Sequence, residues 1–166
     1  GRGLGPTKTI SPFNMLINCG NSSKLDLLKN IPSLFICVGL QILFTKSFEF
    51  GEHNGLNIFK GSVKKIHDCD KSGKKIRNVP FIGWNNINLN KKIEIFNDIN
   101  SQNFFYFTHS YYAEPDEKSI ISSTSNYLDF NYCSSISQKN IFATQFHPEK
   151  SGEPGLKIYK NFIDMI

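Results

Sequence analysis

Cys37 is the residue whose place in the sequence most suggests chemistry. An apolar run over residues 34–36 leads to this cysteine, Gly39 follows two positions later, and a second apolar segment begins at Leu40. This order predicts a buried strand, a sharp turn and a helix, with the thiol and the following N–H groups exposed at the turn. A helix N-terminus lowers the pKa of a thiol, which favours a nucleophilic thiolate. Because free cysteines are among the most buried residue types, a structural cysteine in a strand is the alternative.

A second reactive pattern lies in the segment from His147 to Glu149. A predicted buried strand over residues 141–146 leads to the histidine, and Pro148 forces an extended turn. Residues i and i+2 of an extended run share a face, so the Glu149 carboxylate can bond one ring nitrogen of His147 and select its tautomer. If the strand before Cys37 lies in the same sheet, the thiol, the base and the orienting carboxylate meet at the carboxyl edge. A lone loop histidine is the alternative.

The elements that must position these residues alternate along the chain. The apolar pattern predicts a strand, elbow and helix over 33–48, further strands over 56–59, 63–67, 79–82, 104–107 and 141–146, a hairpin over 120–134, and a final helix from 151 onwards. Less regular stretches are predicted as a short helix ending near residue 30, a turn at 83–85, and a polar surface insertion with one short helix at 86–103. Together they predict an α/β open sheet.

Composition excludes several classes of function. A chain of 166 residues is predicted to be one domain, covering residues 1–166. The net charge of +5 comes almost entirely from Lys, and no nucleic-acid motif accompanies it, so the basic segment at 68–78 is interpreted as a solvated turn. No apolar run is long enough to predict a membrane span. The cysteines have no metal-binding spacing, which indicates free thiols in a reducing compartment and no metal site: Cys19, Cys37, Cys69 and Cys133.

Four segments together resemble class I (triad) glutamine amidotransferases, and within that class the glutaminase part of imidazole glycerol phosphate synthase. They are the stretches at 36–41 (ICVGLQ), 79–85 (VPFIGWN), 106–111 (YFTHSY) and 140–152 (NIFATQFHPEKSG). The first and last are most similar to the eukaryotic form, in which the glutaminase precedes a cyclase barrel. The resemblance covers residues 33–166 and implies the flavodoxin-like α/β fold of the family, an open, mostly parallel sheet flanked by helices.

The resemblance also implies a mechanism. Cys37 as a thiolate would attack the side-chain amide of glutamine. His147 would protonate the departing ammonia and then activate water against the thioester, while Glu149 would hold the imidazole. The oxyanion would be held by the backbone N–H of Val38 and by one N–H from the N-terminal Gly-rich loop, for which Gly3 and Leu4 are the candidates.

Ligand-binding roles follow from the same resemblance. Residues that match the glutamine site are Gly39, Gln41, Glu49, His109, Ser110 and Tyr111, the last three at the α-carboxylate end of the substrate. For Glu49, a solvated carboxylate at a helix end is an equal alternative. Residues that match the surface facing the cyclase are Trp84, Asn85 and Lys150, and an exposed Trp suits an interface anchor. Ammonia would pass to that cyclase, which makes imidazole glycerol phosphate in histidine biosynthesis, with no metal or organic cofactor implied and a cytoplasmic or plastid location.

The sequence departs from the family pattern at two places, before Cys37 and at its N-terminal start. Phe35 stands where the family has Gly, so its ring must find room in a tight elbow or tilt the strand. The chain opens on a Gly-rich loop rather than Met, with Arg2 where the family has Pro. We therefore expect the sequence to be incomplete at its N-terminus and to lack the first strands of the family. The chain would then be unstable on its own, because the missing strands leave a sheet edge exposed. The alternatives are a truncated non-catalytic module that docks a cyclase, and a paralogous amidotransferase that feeds a sugar-modifying synthetase.

Overall fold

The structure, a computed structural model, describes residues 31–70 and 72–166. In these residues the strands are β1 Ser33–Ile36, β2 Phe44–Ser47, β3 His53–Asn54, β4 Phe59–Lys65, β5 Phe81–Asn86, β6 Asn88–Leu89, β7 Phe104–His109, β8 Tyr111–Pro115, β9 Ile121–Tyr127, β10 Phe130–Gln138 and β11 Ile141–Thr144. The α-helices are α1 Val38–Ile42 and α2 Gly152–Asp164, and short 3-10 turns cover Glu94–Phe96, Lys118–Ile120 and Pro148–Lys150. The short helix predicted to end near residue 30 lies outside the described residues.

A five-stranded sheet carries the two reactive segments. Its order is β1-β11-β10-β9-β6, and β1 runs parallel to β11 with Ile36 opposite Thr144. Since parallel neighbours end at the same edge, the residues after β1 and after β11 emerge side by side. The strand before Cys37 and the strand before His147 therefore lie in the same sheet, as the predicted site requires.

The other strands form a four-stranded sheet, β3-β2-β4-β8, and a two-stranded pair, β5-β7. Among the described strands, parallel pairing occurs in β1–β11 and β2–β4, and the remaining pairs are antiparallel. The sheets are thus mixed, where a mostly parallel sheet was expected. Short connections explain the difference, because a tight turn such as the one between β9 and β10 can join only antiparallel neighbours.

The helix predicted after the elbow is shorter than expected. It ends at Ile42, and residues 44–47 form β2 rather than a continuation of the helix. The apolar run through Leu40, Leu43 and Phe44 is buried throughout, so it has no periodicity that separates a helix from a strand. Parallel pairing with β4 places Phe44 opposite Phe59 and buries both rings.

Three further predictions need correction. The stretch 83–85, predicted as a turn, lies within β5, where Ile82 and Trp84 alternate outwards. The insertion at 86–103 contributes Ile87 and Ile95 to the core instead of lying wholly on the surface. In place of the two strands predicted over 56–59 and 63–67, the single strand β4 covers Phe59–Lys65, and residues 56–58 precede it without strand structure. The hairpin of β9 and β10 and the final helix are confirmed.

Two apolar clusters form the core. One gathers Phe105, Phe107 and Phe146 with Ile158 from α2, and the other surrounds Leu40 and its neighbours next to the elbow. The described residues of the segment 68–78 are mostly exposed, as predicted, except that its arginine, Arg77, is buried and pairs with Asp129. No helix in the described ranges is long and apolar enough to cross a membrane.

Candidate active site

Cys37 lies at a strained turn between β1 and α1. Its backbone angles are φ 54° and ψ −107°, a region that residues other than glycine rarely adopt. Such strain costs on the order of 1–3 kcal/mol and persists only when the surroundings hold it. The Cys37 N–H donates to the Thr144 carbonyl at 2.7 Å, and the Cys37 carbonyl accepts from the Gln41 N–H at 3.3 Å. The predicted elbow is therefore present, with the cysteine at its apex.

Phe35 fits beside this elbow because its neighbours are small. It pairs across the sheet with Ala143, and a Cβ placed on Gly39 would lie 3.3 Å from the Phe35 Cβ. Gly39 thus gives up its side-chain space to the phenyl ring. The strand does not need to tilt, and the elbow keeps its geometry with Phe35 present.

The Cys37 thiol is held mainly in its protonated form. Burial raises its pKa, and the carboxylates of Glu149 and Glu49 add to the rise, while the N–H of Val38 and the amide of Gln145 lower it. Desolvation is the largest of these effects, since burial disfavours the thiolate. A thiol in this setting becomes a nucleophile only when a nearby base accepts its proton.

His147 is oriented as that base. Its Nδ1 lies 2.5 Å from Oε1 of Glu149, and because an ionised carboxylate only accepts, Nδ1 carries the proton. Nε2 is therefore the lone-pair nitrogen, and it is buried with no hydrogen-bond partner among the described residues. The His147 N–H donates to the Tyr106 carbonyl at 2.8 Å, which fixes the backbone that carries the ring.

Helix α2 supports the turn that carries His147 and Glu149. A Cβ on Gly155 would lie 1.9 Å from the Pro148 carbonyl oxygen, so only glycine lets the helix pack this closely. The Ser151 hydroxyl donates to the His147 carbonyl at 2.5 Å and accepts from the Tyr106 N–H at 3.0 Å. The turn is thus clamped between β7 and the start of α2.

A cavity of about 270 Å³ opens beside the thiol. It brings together Cys37 and most of the residues predicted to bind substrate, and its lining is Cys37, Val38, Gln41, Glu49, Pro80, Thr108, His109, Ser110 and Tyr111. Gly39 does not line it, because it faces Phe35. Gly3 and Leu4, the two other predicted oxyanion-hole residues, lie outside the described residues.

Glu49 presents an unsatisfied carboxylate to the cavity. It follows β2 rather than ending a helix, and its Oε2 is buried with no partner in the described part of the chain. Burial raises the pKa of Glu49, and the nearby His53 opposes the rise. A buried carboxylate without a donor is costly, so this site suits a ligand that brings a cationic group.

Gln41 uses its amide protons within the protein. Its Nε2 donates to the Tyr111 carbonyl at 2.9 Å and to Oε1 of Gln145 at 3.0 Å. Because an amide nitrogen has two protons, neither is left for a ligand. The predicted substrate residue therefore acts chiefly through the neighbours it holds.

His109 is a neutral ring with an unused acceptor. Burial lowers its pKa to about 4, and Nδ1 lies 2.8 Å from the Tyr111 carbonyl, so Nδ1 donates. Nε2 then carries a lone pair, buried and without a partner among the described residues. This tautomer cannot donate from Nε2 to a carboxylate, so its side chain does not suit the α-carboxylate end for which it was predicted.

The residues predicted to face a partner differ in whether their side chains are available for contact with it. Trp84 is 55% exposed and meets the Tyr106 ring edge-on at 5.8 Å, and the Lys150 ammonium lies 5.7 Å from the same ring. We call Ile82, Trp84, Tyr106 and Lys150 the outer aromatic face. Asn85 is not part of it, because its amide donates to the Asn126 carbonyl at 2.6 Å.

Gln145 is the site residue that sequence reasoning did not single out. It is fully buried, and its Nε2 lies 3.6 Å from the Cys37 sulfur. The signal was present in the sequence, since a glutamine in the predicted buried strand 141–146 must find hydrogen-bond partners. What the sequence could not reveal was which partners those would be.

The site geometry and the sequence comparisons together assign the chain to one class of protein. Residues 17–165 match the family described as glutamine amidotransferase class-I, and the chain belongs to this family. Within the class, the chain is 45% identical over 135 residues to the imidazole glycerol phosphate synthase subunit HisH of Syntrophotalea carbinolica. It is 42% identical over 138 residues to subunit HisH 1 of the same synthase from Methanococcus maripaludis. The matches cover 81% and 83% of this chain but 65% and 64% of these relatives, so the chain spans just under two-thirds of their length.

Solved structures confirm the fold class. A glutamine amidotransferase from Thermotoga maritima superposes with a TM-score of 0.52 at 16% identity, covering 86% of this chain and 54% of that one. The glutaminase domain of Trypanosoma brucei CTPS superposes with a TM-score of 0.53 at 15% identity, covering 86% and 64%. The expected α/β amidotransferase fold is thus confirmed, with the mixed sheets described above.

Proposed function

We propose that this chain hydrolyses glutamine through Cys37, His147 and Glu149 and supplies the ammonia to a cyclase that makes imidazole glycerol phosphate in histidine biosynthesis. The observation that carries the proposal is a cysteine at a positive-φ elbow after β1, with a histidine after the neighbouring parallel strand β11 whose carboxylate partner leaves Nε2 free as a base. Family membership and the names of the relatives support the same reaction.

The reaction follows from the protonation states. Nε2 of His147 takes the Cys37 proton, and the sulfur attacks the amide carbon of glutamine. The carbonyl oxygen becomes an oxyanion, towards which the Val38 N–H is available. Collapse breaks the C–N bond, and the imidazolium returns its proton to the leaving nitrogen, which departs as ammonia. Water, deprotonated by Nε2, then attacks the thioester and releases glutamate and the thiol.

The cavity orients glutamine by its charges. The unpaired Oε2 of Glu49 accepts from the α-ammonium group, which relieves the cost of burying that carboxylate. Since the His109 ring has no free donor, the α-carboxylate is left to the backbone N–H groups of Ser110 and Tyr111, which line the same cavity. The amide of the substrate then points towards Cys37.

The partner docks on the outer aromatic face. Exposed Trp84 and Lys150 meet the half-buried ring of Tyr106 in one surface cluster, and the strand that carries Tyr106 continues through Thr108, whose carbonyl lies 4.0 Å from the Cys37 sulfur. Ammonia released at the thiol is therefore produced next to this face. Exposed Trp and Tyr are the residues that most often anchor interfaces. We place the reaction in the cytoplasm.

The test compares Cys37→Ala with Cys69→Ser in the full chain, assayed with and without a cyclase subunit from a close relative. Cys69 is an exposed free cysteine and serves as the control. We expect Cys37→Ala to abolish glutamate release and cyclase-coupled product formation, and Cys69→Ser to retain both. Turnover that survives in Cys37→Ala contradicts the proposal. A wild-type chain that binds the cyclase but releases no glutamate supports a docking module, and one that the cyclase does not stimulate supports the sugar-modifying alternative.

A further inference from the structure

We propose that Gln145 is a positioning residue that holds the Cys37 sulfur with one amide proton and takes its own orientation from Gln41. The inference rests on the proposed glutaminase reaction, in which Cys37 is the nucleophile. It adds a residue that acts on the nucleophile from the side of the sheet, outside the triad.

The first step is the contact with the sulfur. Gln145 follows β11 directly, is fully buried, and places Nε2 3.6 Å from Sγ of Cys37, within the range of an N–H···S bond. Its backbone is fixed as well, because its N–H donates to the Ser134 carbonyl at 2.8 Å. The preceding residue, Thr144, accepts the Cys37 N–H, so backbone and side chain of this segment both hold the elbow.

The second step is the orientation of the amide. Oε1 of Gln145 accepts from Nε2 of Gln41 at 3.0 Å, and Gln41 donates its other proton to the Tyr111 carbonyl at 2.9 Å. Since the Tyr111 carbonyl oxygen can only accept a hydrogen bond, Gln41 must direct its amide nitrogen, not its oxygen, towards Tyr111 and Gln145. That nitrogen in turn requires the oxygen of Gln145, so the Gln145 nitrogen faces the sulfur. The bonds form a relay from Tyr111, which lines the cavity, to the nucleophile.

The third step is the consequence for the sulfur. A donor at this distance stabilises the thiolate more than the thiol, because a bond to a charged acceptor is the stronger one. The charged or titratable groups that act on Cys37 are His147, the base of the proposed reaction, and the carboxylates of Glu149, from the turn after β11, and Glu49, from the segment after β2. The two carboxylates oppose the thiolate. Gln145 and the Val38 N–H are the donors that offset them. The direction of the Gln145 bond also restrains where the sulfur sits relative to the cavity.

If Gln145 had a purely structural role, its replacement would have different effects. A buried glutamine that only ties β11 to α1 would affect unfolding when it is replaced, and the titration of the Cys37 thiol would stay the same. A positioning role moves the titration and kcat while leaving KM nearly unchanged, since the substrate contacts are elsewhere in the cavity.

The experiment measures alkylation of Cys37 by iodoacetamide as a function of pH in the full chain, with the Cys37 peptide quantified by mass spectrometry. For Gln145→Leu we expect the midpoint to rise by about one pH unit, the size of one bond to a charged acceptor. In the glutaminase assay kcat should fall about tenfold with KM within about twofold. The isosteric Gln145→Glu should raise the midpoint further, because its carboxylate faces the thiolate. Ser125→Ala, which removes a buried hydroxyl bonded to the Asn86 carbonyl, is the matched control and should leave the midpoint unchanged.

A folded Gln145→Leu with the wild-type midpoint overturns the inference. If Gln145→Leu does not fold, the isosteric Gln145→Glu decides by the same criterion. Because alkylation needs no turnover, this failure is separate from that of the proposed function. If Cys37→Ala stays active, the proposed reaction is wrong, but the effect of Gln145 on thiol alkylation in chains that keep Cys37 is still measurable. If Cys37→Ala is inactive and the Gln145 variants keep the wild-type midpoint, only the positioning role is wrong.

Discussion

Two buried polar regions of this chain differ in how completely their hydrogen bonds are made. In the hairpin of β9 and β10, four buried serines bond one another across the strands, with Oγ–Oγ distances of 2.5–2.8 Å: Ser122, Ser123, Ser134 and Ser135. We call them the serine cluster. At the carboxyl edge of β1 and β11, by contrast, Glu49, His109 and His147 each keep one buried atom without a partner among the described residues.

The difference separates polar groups that stabilise the fold from polar groups kept available for a ligand. A buried polar atom without a partner costs about 1–3 kcal/mol, so a cluster of such atoms is tolerated only where a ligand or a proton completes them. Of the other orphaned atoms, the His53 nitrogen acts on Glu49 and the Tyr132 ring lies 5.2 Å from His109. Among the unsatisfied side-chain atoms in the described residues, those of Glu49 and His109 thus belong to residues that line the cavity, and those of His53, Tyr132 and His147 belong to residues that act on or contact these two, while Nε of Arg77 lies apart.

Replacing His147 gives the largest expected effect and tests the catalytic side of the comparison. Without Nε2 nothing accepts the proton of a thiol whose pKa is raised by burial, so kcat for glutamine should fall by about a thousandfold or more. The measurement is glutamate release by His147→Ala, with the exposed His67→Ala as the matched control. A His147→Ala variant within tenfold of wild type would mean that the unpaired nitrogen is not the base.

His109 should make stability depend on pH. Its pKa is about 4 in the folded chain against an ordinary value of 6.5, so between these values the unfolded chain binds more protons. The contribution is complete above pH 6.5 and is lost as pH falls towards 4, by up to about 3 kcal/mol. Urea unfolding at pH 7.5 and pH 4.5 should show a larger difference for wild type than for His109→Gln. Equal differences would show that the ring is solvated in the folded chain, which would weaken the contrast with the non-titrating serine cluster.

Glu49 should affect binding more than chemistry. Glu49→Gln keeps the shape but removes the charge that meets the α-ammonium group, so KM should rise about tenfold or more while kcat changes little. Glu52→Gln is the neighbouring control, since Glu52 pairs with Lys46 at 2.5 Å on the surface. If kcat falls and KM does not, the orphaned carboxylate acts on the reaction itself and not on the ground-state complex.

The sequence was informative where a short pattern determines geometry. The apolar run before Cys37 and the His147–Glu149 spacing were enough to predict the elbow and the oriented imidazole, because neighbours in the chain make both features. The end of α1 was not predictable, since Leu43 and Phe44 are buried whether the segment continues as helix or turns into a strand. Trp84 was assigned to a turn because Gly and Asn flank it, yet pairing with β7 extends the strand through all three residues.

The glutamine relay was beyond local prediction for a different reason. Gln41 and Gln145 are 104 positions apart, and their bond depends on the parallel pairing of β1 with β11. The tautomer of His109 likewise depends on a carbonyl that only the folded chain brings to its ring. Residue types were therefore readable from the sequence, but which atoms remain unpaired was not.

Removing one member of the serine cluster gives the smallest expected effect and tests the structural side of the comparison. Ser123 bonds both Ser134 and Ser135, so Ser123→Ala leaves two buried hydroxyls to find new partners. Ser135 still has Ser122 at 2.8 Å, which limits the cost to about 1 kcal/mol in the free energy of unfolding. Glutamine turnover and the pH dependence of stability should stay at wild-type values, and the exposed Ser119→Ala provides the control for a lost hydroxyl. A change in turnover without a change in stability would connect the serine cluster to the active site, and the distinction between satisfied and unsatisfied buried groups would then no longer separate structure from function.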